Sequence, residues 1–238
     1  MSSIASVASA AACPATTFCE VHWAGETVHL LPDRALFWPA QQTLFIADLH
    51  IGKAATYRAL GQPVPGGTTA ENLSRLTALI AEHAPKRIIF LGDFLHAAAA
   101  RTPSILQALA AWRARHADVA MTLVRGNHDS RAGDPPAQLQ IDVVNEPFLF
   151  GPFACCHHPQ QHATHFVLAG HVHPVCWLAG RGRDSLRLPC FVVKLSQAGH
   201  AVFPAFGEFT GGWMVTGEAG QGLYPVGGGR VWCLPQMS

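Results

Sequence analysis

Five short stretches of this chain carry side chains that can bind a metal ion. In order they are Asp48-Leu49-His50, Gly92-Asp93, Gly126-Asn127-His128-Asp129, His157-His158 and Gly170-His171-Val172-His173. Together they offer Asp48, His50, Asp93, Asn127, His157, His171 and His173 as a mixed set of carboxylate, imidazole and amide-oxygen ligands. Such a mixture suits Mn²⁺, Fe²⁺ or Zn²⁺ better than an all-oxygen Ca²⁺ cage. No cysteine belongs to the set, which argues against a structural thiolate zinc site. Asp93 falls between the other motif-bearing strands in chain order and is the natural bridge between two ions. Bridged ions sit about 3.5–4 Å apart, lower the pKa of a shared water and stabilise charge on a phosphoryl group in in-line displacement. Two carboxylates only partly neutralise two divalent cations, so charge remains to attract a phosphate diester. In Gly126–Asp129 the glycine lets the backbone turn. Asn127 then offers a carbonyl oxygen, His128 an imidazole, and Asp129 a carboxylate that could orient that imidazole.

Apolar segments must position these motifs. Leu44–Ala47, Ile88–Leu91, Val119–Val124, the broken run Val143–Cys156 and Phe166–Ala169 read as strands, each ending at one of the motifs. Ligands of α/β sheets gather at such strand ends. Phe18–Pro32 reads as a hairpin turning at Ala24-Gly25-Glu26, and Ala35–Trp38 as a short strand. Lys53–Leu60 reads as helical, with Lys53 read as solvated in preference to a phosphate contact. Gln62–Gly67 is a loop or lid. Thr68 should open a helix with Glu71 as its capping box, burying Leu73, Leu76, Leu79 and Ile80. Thr102-Pro103 should open another, burying Ile105, Leu109 and Trp112. Arg181, Arg183 and Arg187 punctuate a glycine-containing loop. Strand–helix alternation gives way to strands late in the chain. The fold class expected is therefore α/β, with two packed mixed β-sheets flanked by helices in four layers. Residues 1–17 read as a disordered extension and 18–238 as a single domain.

Composition narrows the function. Hydrophobic residues make up 49% of the 238 residues, enough to pack a sizeable core. A charged fraction of 13% and a net charge of +1 give no global pull toward nucleic acid, so affinity for a polyanion must be local. The seven cysteines lack C-x-x-C spacing, which favours a reduced, cytoplasmic protein. No apolar run is long enough to span a bilayer. Taken singly, Asp-x-His or Gly-Asp is usually a surface turn. Their joint order after successive apolar strands is what points to a metal-dependent phosphoesterase.

That ordered set, from Leu44 to His173, resembles the calcineurin-like metallophosphoesterase superfamily. The resemblance implies one metal held by Asp48, His50, Asp93 and His173. It implies a second held by Asp93, Asn127, His157 and His171. His128 would contact the scissile phosphate and aid the leaving oxygen, with Asp129 orienting it. A narrower resemblance spans nearly the whole chain. Asp48–Lys53, Gly92–His96, Val124–Asp129, Cys156–Pro159, Gly182–Phe191 and Pro204–Gly212 are similar to the bacterial ligase-associated DNA damage response endonucleases. These occur with an ATP-dependent DNA ligase and a DEXH helicase. The implied activity is a manganese-dependent phosphodiesterase that nicks DNA. Arg125 and Arg131 flank the motif as phosphate contacts or as salt-bridge partners. His158 reads as a support for the neighbouring ligand or as a substrate contact, with a swap for His157 left open. His96 is a neighbour of the ligands or a surface residue. Arg183, with Arg181 and Arg187, reads as a backbone contact for nucleic acid or as part of a solvated basic loop. Two rivals use the same features: a small-molecule or nucleotide phosphodiesterase, and a non-catalytic phosphoesterase-like binding module.

Overall fold

Two mixed sheets pack face to face, and the strand ends they bring together carry the five motifs. The computed structural model describes residues 17–63, 67–179, 184–196, 199–208 and 210–234. All but the last residue of the expected N-terminal extension lies outside them, as do Arg181 and Arg183.

In the first sheet, β1 (Cys19–Trp23) and β2 (Glu26–Leu30) form the expected hairpin through Ala24 and Gly25, both at positive φ. Then come β3 (Ala35–Trp38), β4 (Thr43–Ile46), β5 (Arg87–Leu91), β6 (Ala120–Val124) and β7 (Asp142–Val144), side by side in chain order. From β4 to β7 the strands are parallel. Parallel neighbours need crossovers. These contain α1 (Lys53–Ala59) and α2 (Thr68–His83), then α3 (Pro103–Arg115), then α4 (Asn127–Ala132). Thr102 caps α3 as expected, its Oγ1 accepting from the Ile105 N–H at 3.4 Å. The capping box expected at Thr68 does not form. Gly67 is the N-cap, in the left-handed region, and Thr68 is already inside the helix.

The second sheet holds β8 (Phe148–Phe150), β9 (Phe153–Cys155), β10 (Phe166–Ala169), β11 (Pro174–Ala179), β12 (Ser185–Lys194), β13 (His200–Val202) and β14 (Trp213–Met214). Their spatial order is β14-β11-β12-β13-β10-β9-β8; β15 (Gln221–Gly227) adds to β12, and β16 (Arg230–Val231) to β15. Arg187 therefore stands on a strand, not on the expected loop.

The central strands are apolar at successive positions because both their faces are covered. Leu44, Ile46, Ile88, Phe90, Met121 and Leu123 pack with Leu73, Leu76, Leu79, Ile105, Leu109 and Trp112 of α2 and α3. The alternate residues Phe45, Ile89, Leu91 and Val124 meet Phe153, Phe166, Phe191 and Phe203 of the second sheet. Trp38 sets its ring edge-on to Phe153 at 5.1 Å between centroids, a favoured aromatic geometry. Burying each such ring contributes about 1.5–3 kcal/mol.

A disulfide joins Cys19 to Cys233, 214 residues apart, where the sequence suggested only reduced thiols. Spacing cannot reveal a pair that only the closed fold brings together. Cys155, Cys156, Cys176 and Cys190 are free and buried. No described helix is long and apolar enough to cross a membrane.

Candidate metal centre

The motifs meet in one buried cluster. Asp48, His50, Asp93 and His157 are each no more than 3% exposed. Their backbones are unusual. Asp48, His50, Asp93, His171 and His173 all have positive φ, half of the ten described non-glycine residues that do. This conformation is uncommon outside glycine and is held only where the surroundings impose it. Two glycines allow the close approach. A Cβ at Gly126 would lie 2.3 Å from Asp93 Oδ1, and one at Gly170 would lie 2.5 Å from Asp48 Oδ2.

Hydrogen bonds to carbonyls fix which imidazole nitrogens bear protons, since a carbonyl only accepts. His157 Nδ1 donates to the Leu91 carbonyl at 3.2 Å, and His173 Nδ1 to the Thr210 carbonyl at 3.3 Å. Each Nε2 therefore turns a lone pair into the cluster. His173 Nε2 lies 3.3 Å from His50 Nε2 and 3.4 Å from Asp48 Oδ1, and His50 Nε2 lies 3.8 Å from Asp93 Oδ2. His157 Nε2 lies 2.9 Å from Asn127 Oδ1, 3.0 Å from His171 Nδ1 and 3.5 Å from Asp93 Oδ1. Acceptors thus converge on two points, and Asp93 turns one oxygen toward each. Ligands about 2.1 Å from a common ion stand about 3.0–3.4 Å from one another. The observed spacings, from 2.9 to 3.8 Å, bracket that range, and the donor set fits two cations. Asp48 Oδ1 supports the fit: it is buried with no hydrogen-bond partner among the described residues. Asp48 Oδ2, by contrast, accepts from the His171 N–H at 2.8 Å.

Burial, then the charge of Lys53 and the neighbouring imidazoles, hold the His50 pKa far below the ordinary range. Burial likewise lowers His171, with His157 and His158 adding to it. Both rings are kept in the neutral form that a metal requires. Burial raises the Asp93 pKa, Asp48 adds to the rise and His157 opposes it.

His128 sits beside the first cluster with its Nε2 4.0 Å from Asp93 Oδ2. The expected pairing with Asp129 does not occur. His128 Nδ1 instead donates to the His96 carbonyl at 2.6 Å, and the two rings stack at 4.8 Å. Asp129 is turned into the fold. Its two oxygens accept from the backbone N–H groups of Gly126 and Leu95, each at 3.0 Å. The loop read at Gly126–Asp129 is the start of α4, and Asp129 ties that start to the segment after β5. His96 is no surface residue; its Nδ1 lies 3.4 Å from His50 Nδ1, and burial, then Lys53 and His128, push its pKa down to about 4. Lys53, expected in solvent, is 8% exposed; burial lowers its pKa while Asp48 and Asp93 oppose the shift.

Of the expected substrate contacts, Arg125, Arg131 and His158 line one cleft of about 410 Å³ beside Asn127. Arg125 is already engaged by both oxygens of Asp134 at 2.9 and 2.8 Å and by Asn145 at 2.6 Å. Arg131 is exposed. His158 turns its Nδ1 to Glu146 Oε1 at 2.7 Å, whereas the neighbouring His157 ring faces the metal cluster. Arg183 lies outside the described residues.

Two supporting residues escaped the sequence reading. Glu146 Oε2 accepts from the N–H groups of both His157 and His158, at 2.7 and 2.9 Å. Burial raises its pKa, but the bonds from the His158 ring and the two N–H groups outweigh that and hold it low. Glu208 pairs with Arg34 and Arg75, beside a segment whose Phe206 and Gly207 N–H groups donate to the Ala47 and Asp48 carbonyls. Those two backbone bonds tie the start of the Asp48–His50 turn to the segment after β13. A single glutamate outside any motif gives no sequence signal; Glu208 at least lies within a stretch that carried family resemblance.

Residues 42–165 match the model of the calcineurin-like phosphoesterase family. The crystal structure of the Pseudomonas putida nuclease MPE is 50% identical, with a TM-score of 0.79, and the match covers 91% of this chain and all of that one. YfcE, a phosphoesterase from E. coli, is 14% identical with a TM-score of 0.41, over 82% of this chain and 99% of that one. At that distance it bears on neither fold nor function. Comparison with curated proteins finds no match.

Proposed function

Because this chain belongs to the calcineurin-like phosphoesterase family and so is a metal-dependent phosphoester hydrolase, we propose that it holds two divalent cations and cleaves phosphodiester bonds in DNA. Asp48, His50, Asp93 and His173 would hold one ion, and Asp93, Asn127, His157 and His171 the other. The observation that carries this reading is the convergence of acceptors on two points that share Asp93. Bound there, the cations would supply positive charge for the phosphate and lower the pKa of a coordinated water. Manganese suits the mixed oxygen and nitrogen donors, as do Fe²⁺ and Zn²⁺.

The chain's own groups do the rest. His128 keeps its Nδ1 proton on the His96 carbonyl, so Nε2 is the atom that faces the substrate. Protonated there, it hands a proton to the departing oxygen. His158 and Arg131 line the adjoining cleft and hold the phosphates that flank the scissile one. DNA as substrate is supported by the likeness to the P. putida nuclease. On this reading the chain is a single-domain repair nuclease, working in the same process as an ATP-dependent ligase and a DEXH helicase.

The test is a substrate panel across metals. Wild type should nick DNA and hydrolyse bis-p-nitrophenyl phosphate with Mn²⁺, and outperform itself on cyclic or dinucleotide substrates. Asp93→Ala should abolish both activities. Full activity in that variant, freed of contaminating nuclease, overturns the shared-carboxylate arrangement. His128→Ala should lower kcat with metal content held; an equal loss of metal overturns its assigned role.

A further inference from the structure

Strand β12 is ten residues long and lies in two environments. Its second half, from Cys190 to Lys194, pairs with β13 and β15 within the second sheet. Its first half, from Ser185 to Pro189, pairs with β11, and β11 pairs in turn with β14. β12 runs antiparallel to β13, which is parallel to β10. The first half of β12 therefore projects past the C-terminal ends of β10 and β13. That is the end where His171 and His173 lie, and β11 begins at the residue after His173. The β11–β12–β14 arm thus stands beside the metal centre.

This arm leaves large apolar side chains in water. Trp177 is 58% exposed, Leu186 63% and Trp213 70%. The register sorts them. Trp177 lies directly opposite Arg187, on the face that also carries Val175 and Met214; Trp213 and Leu186 belong to the other face. Arg187 is held along its face by a hydrogen bond from Nη2 to the Gly212 carbonyl at 3.0 Å. An exposed aromatic ring beside a guanidinium is the pairing that single-stranded nucleic acid uses, with a base on the ring and a cation near the backbone. Trp177 is four residues along β11 from His173, roughly 13 Å at strand rise, within reach of a strand whose phosphate occupies the centre.

We propose that Trp177 is a stacking platform for an unpaired base near the scissile phosphate, with Arg187 beside it against the sugar–phosphate backbone. The proposal rests on the reading of the substrate as DNA and adds a base-recognition surface to it. Stacking tolerates any base, so the platform contributes grip without sequence preference.

The test compares an oligonucleotide, the same oligonucleotide with abasic positions around the cleavage site, and bis-p-nitrophenyl phosphate, which has no base to stack. Trp177→Ala should raise KM for the intact oligonucleotide about tenfold with little change in kcat. Trp177→Phe should restore most of the loss. Wild type should handle the abasic strand about as poorly as Trp177→Ala handles the intact one. An unchanged KM in Trp177→Ala overturns the platform, as does a parallel loss on bis-p-nitrophenyl phosphate, which would mark damage to the fold. A loss confined to Trp213→Ala overturns the choice of face. Wild type that cleaves bis-p-nitrophenyl phosphate but no oligonucleotide refutes the DNA reading itself, and the platform falls with it.

Discussion

Between the sheets, Trp38, Phe45, Phe153, Phe191 and Phe203 are no more than 2% exposed; at the end of the same sandwich, Asp48, His50, Asp93 and His157 are no more than 3% exposed. Burial is the same, and what fills it is opposite. The aromatic region satisfies itself, ring edge against ring face, in ordinary strand conformations. The polar region gathers metal-binding atoms against one another, several of them on residues at positive φ, with one carboxylate oxygen, Asp48 Oδ1, lacking a hydrogen-bond partner among the described residues. Unpaired buried polar groups destabilise a fold. The contrast shows where stability is generated and where it is given up for a function that needs a further group to complete it. If it is real, the two regions should respond separately to substitution.

The largest effect should come from the aromatic side. Phe153→Ala removes a fully buried ring and should cost about 3–5 kcal/mol of stability. Urea denaturation would measure it. The metal bound per folded molecule should not change, even though Phe153 lies only four residues before His157. Metal loss in step with stability would break the separation.

A smaller effect should arise at the border. Glu146 touches no point of acceptor convergence, yet it fixes the backbone of His157 and His158. Glu146→Gln keeps an acceptor but loses the charge that shortens both bonds. Metal affinity should fall about 10–100-fold, the usual effect of removing a group that supports a ligand. Calorimetric titration with Mn²⁺ would show it, while the metal-free melting temperature stays nearly fixed. Unaltered affinity would confine Glu146 to loop structure.

Sequence reading reaches the aromatic region and the convergent residues by the same route. Strands buried on both faces are apolar throughout, and the residue just past such a strand must serve the site or the turn. Asp48, Asp93, Asn127 and His171 were visible for that reason. What remained hidden depends on contacts across the chain. Asp129 reads as a partner of its neighbour His128, but the N–H groups of Leu95 and Gly126 claim both its oxygens. Lys53 reads as solvated because its burial comes from tertiary packing. The Cys19–Cys233 disulfide and the anchoring by Glu208 arise only when distant segments meet. Arg187 reads as part of a loop because the register of β11 on β12 is not written in local composition.

The smallest effect tests the contrast most sharply, because its sign should reverse with metal. Burial, reinforced by Asp48 and opposed by His157, raises the Asp93 carboxyl pKa above its ordinary value. A carboxyl with a raised folded-state pKa contributes its stability below the unfolded value and loses it as pH rises through the folded one. At neutral pH without metal, the ionised Asp93 therefore weakens the fold. Asp93→Asn removes the charge and keeps an oxygen for the His128 N–H, which Asp93 Oδ1 accepts at 2.9 Å. The metal-free variant should melt higher than wild type, by about 2–4 °C for each 1 kcal/mol relieved. The gain should shrink on acidification toward the ordinary carboxylate range, where wild type also loses the charge. With Mn²⁺ the order should invert. An ion at 100 times its Kd stabilises wild type by about 2.7 kcal/mol, and a variant without the shared carboxylate cannot take up that gain. A metal-free variant that melts below wild type would mean that Asp93 supports the fold by itself, and the two buried regions would then differ in composition but not in purpose.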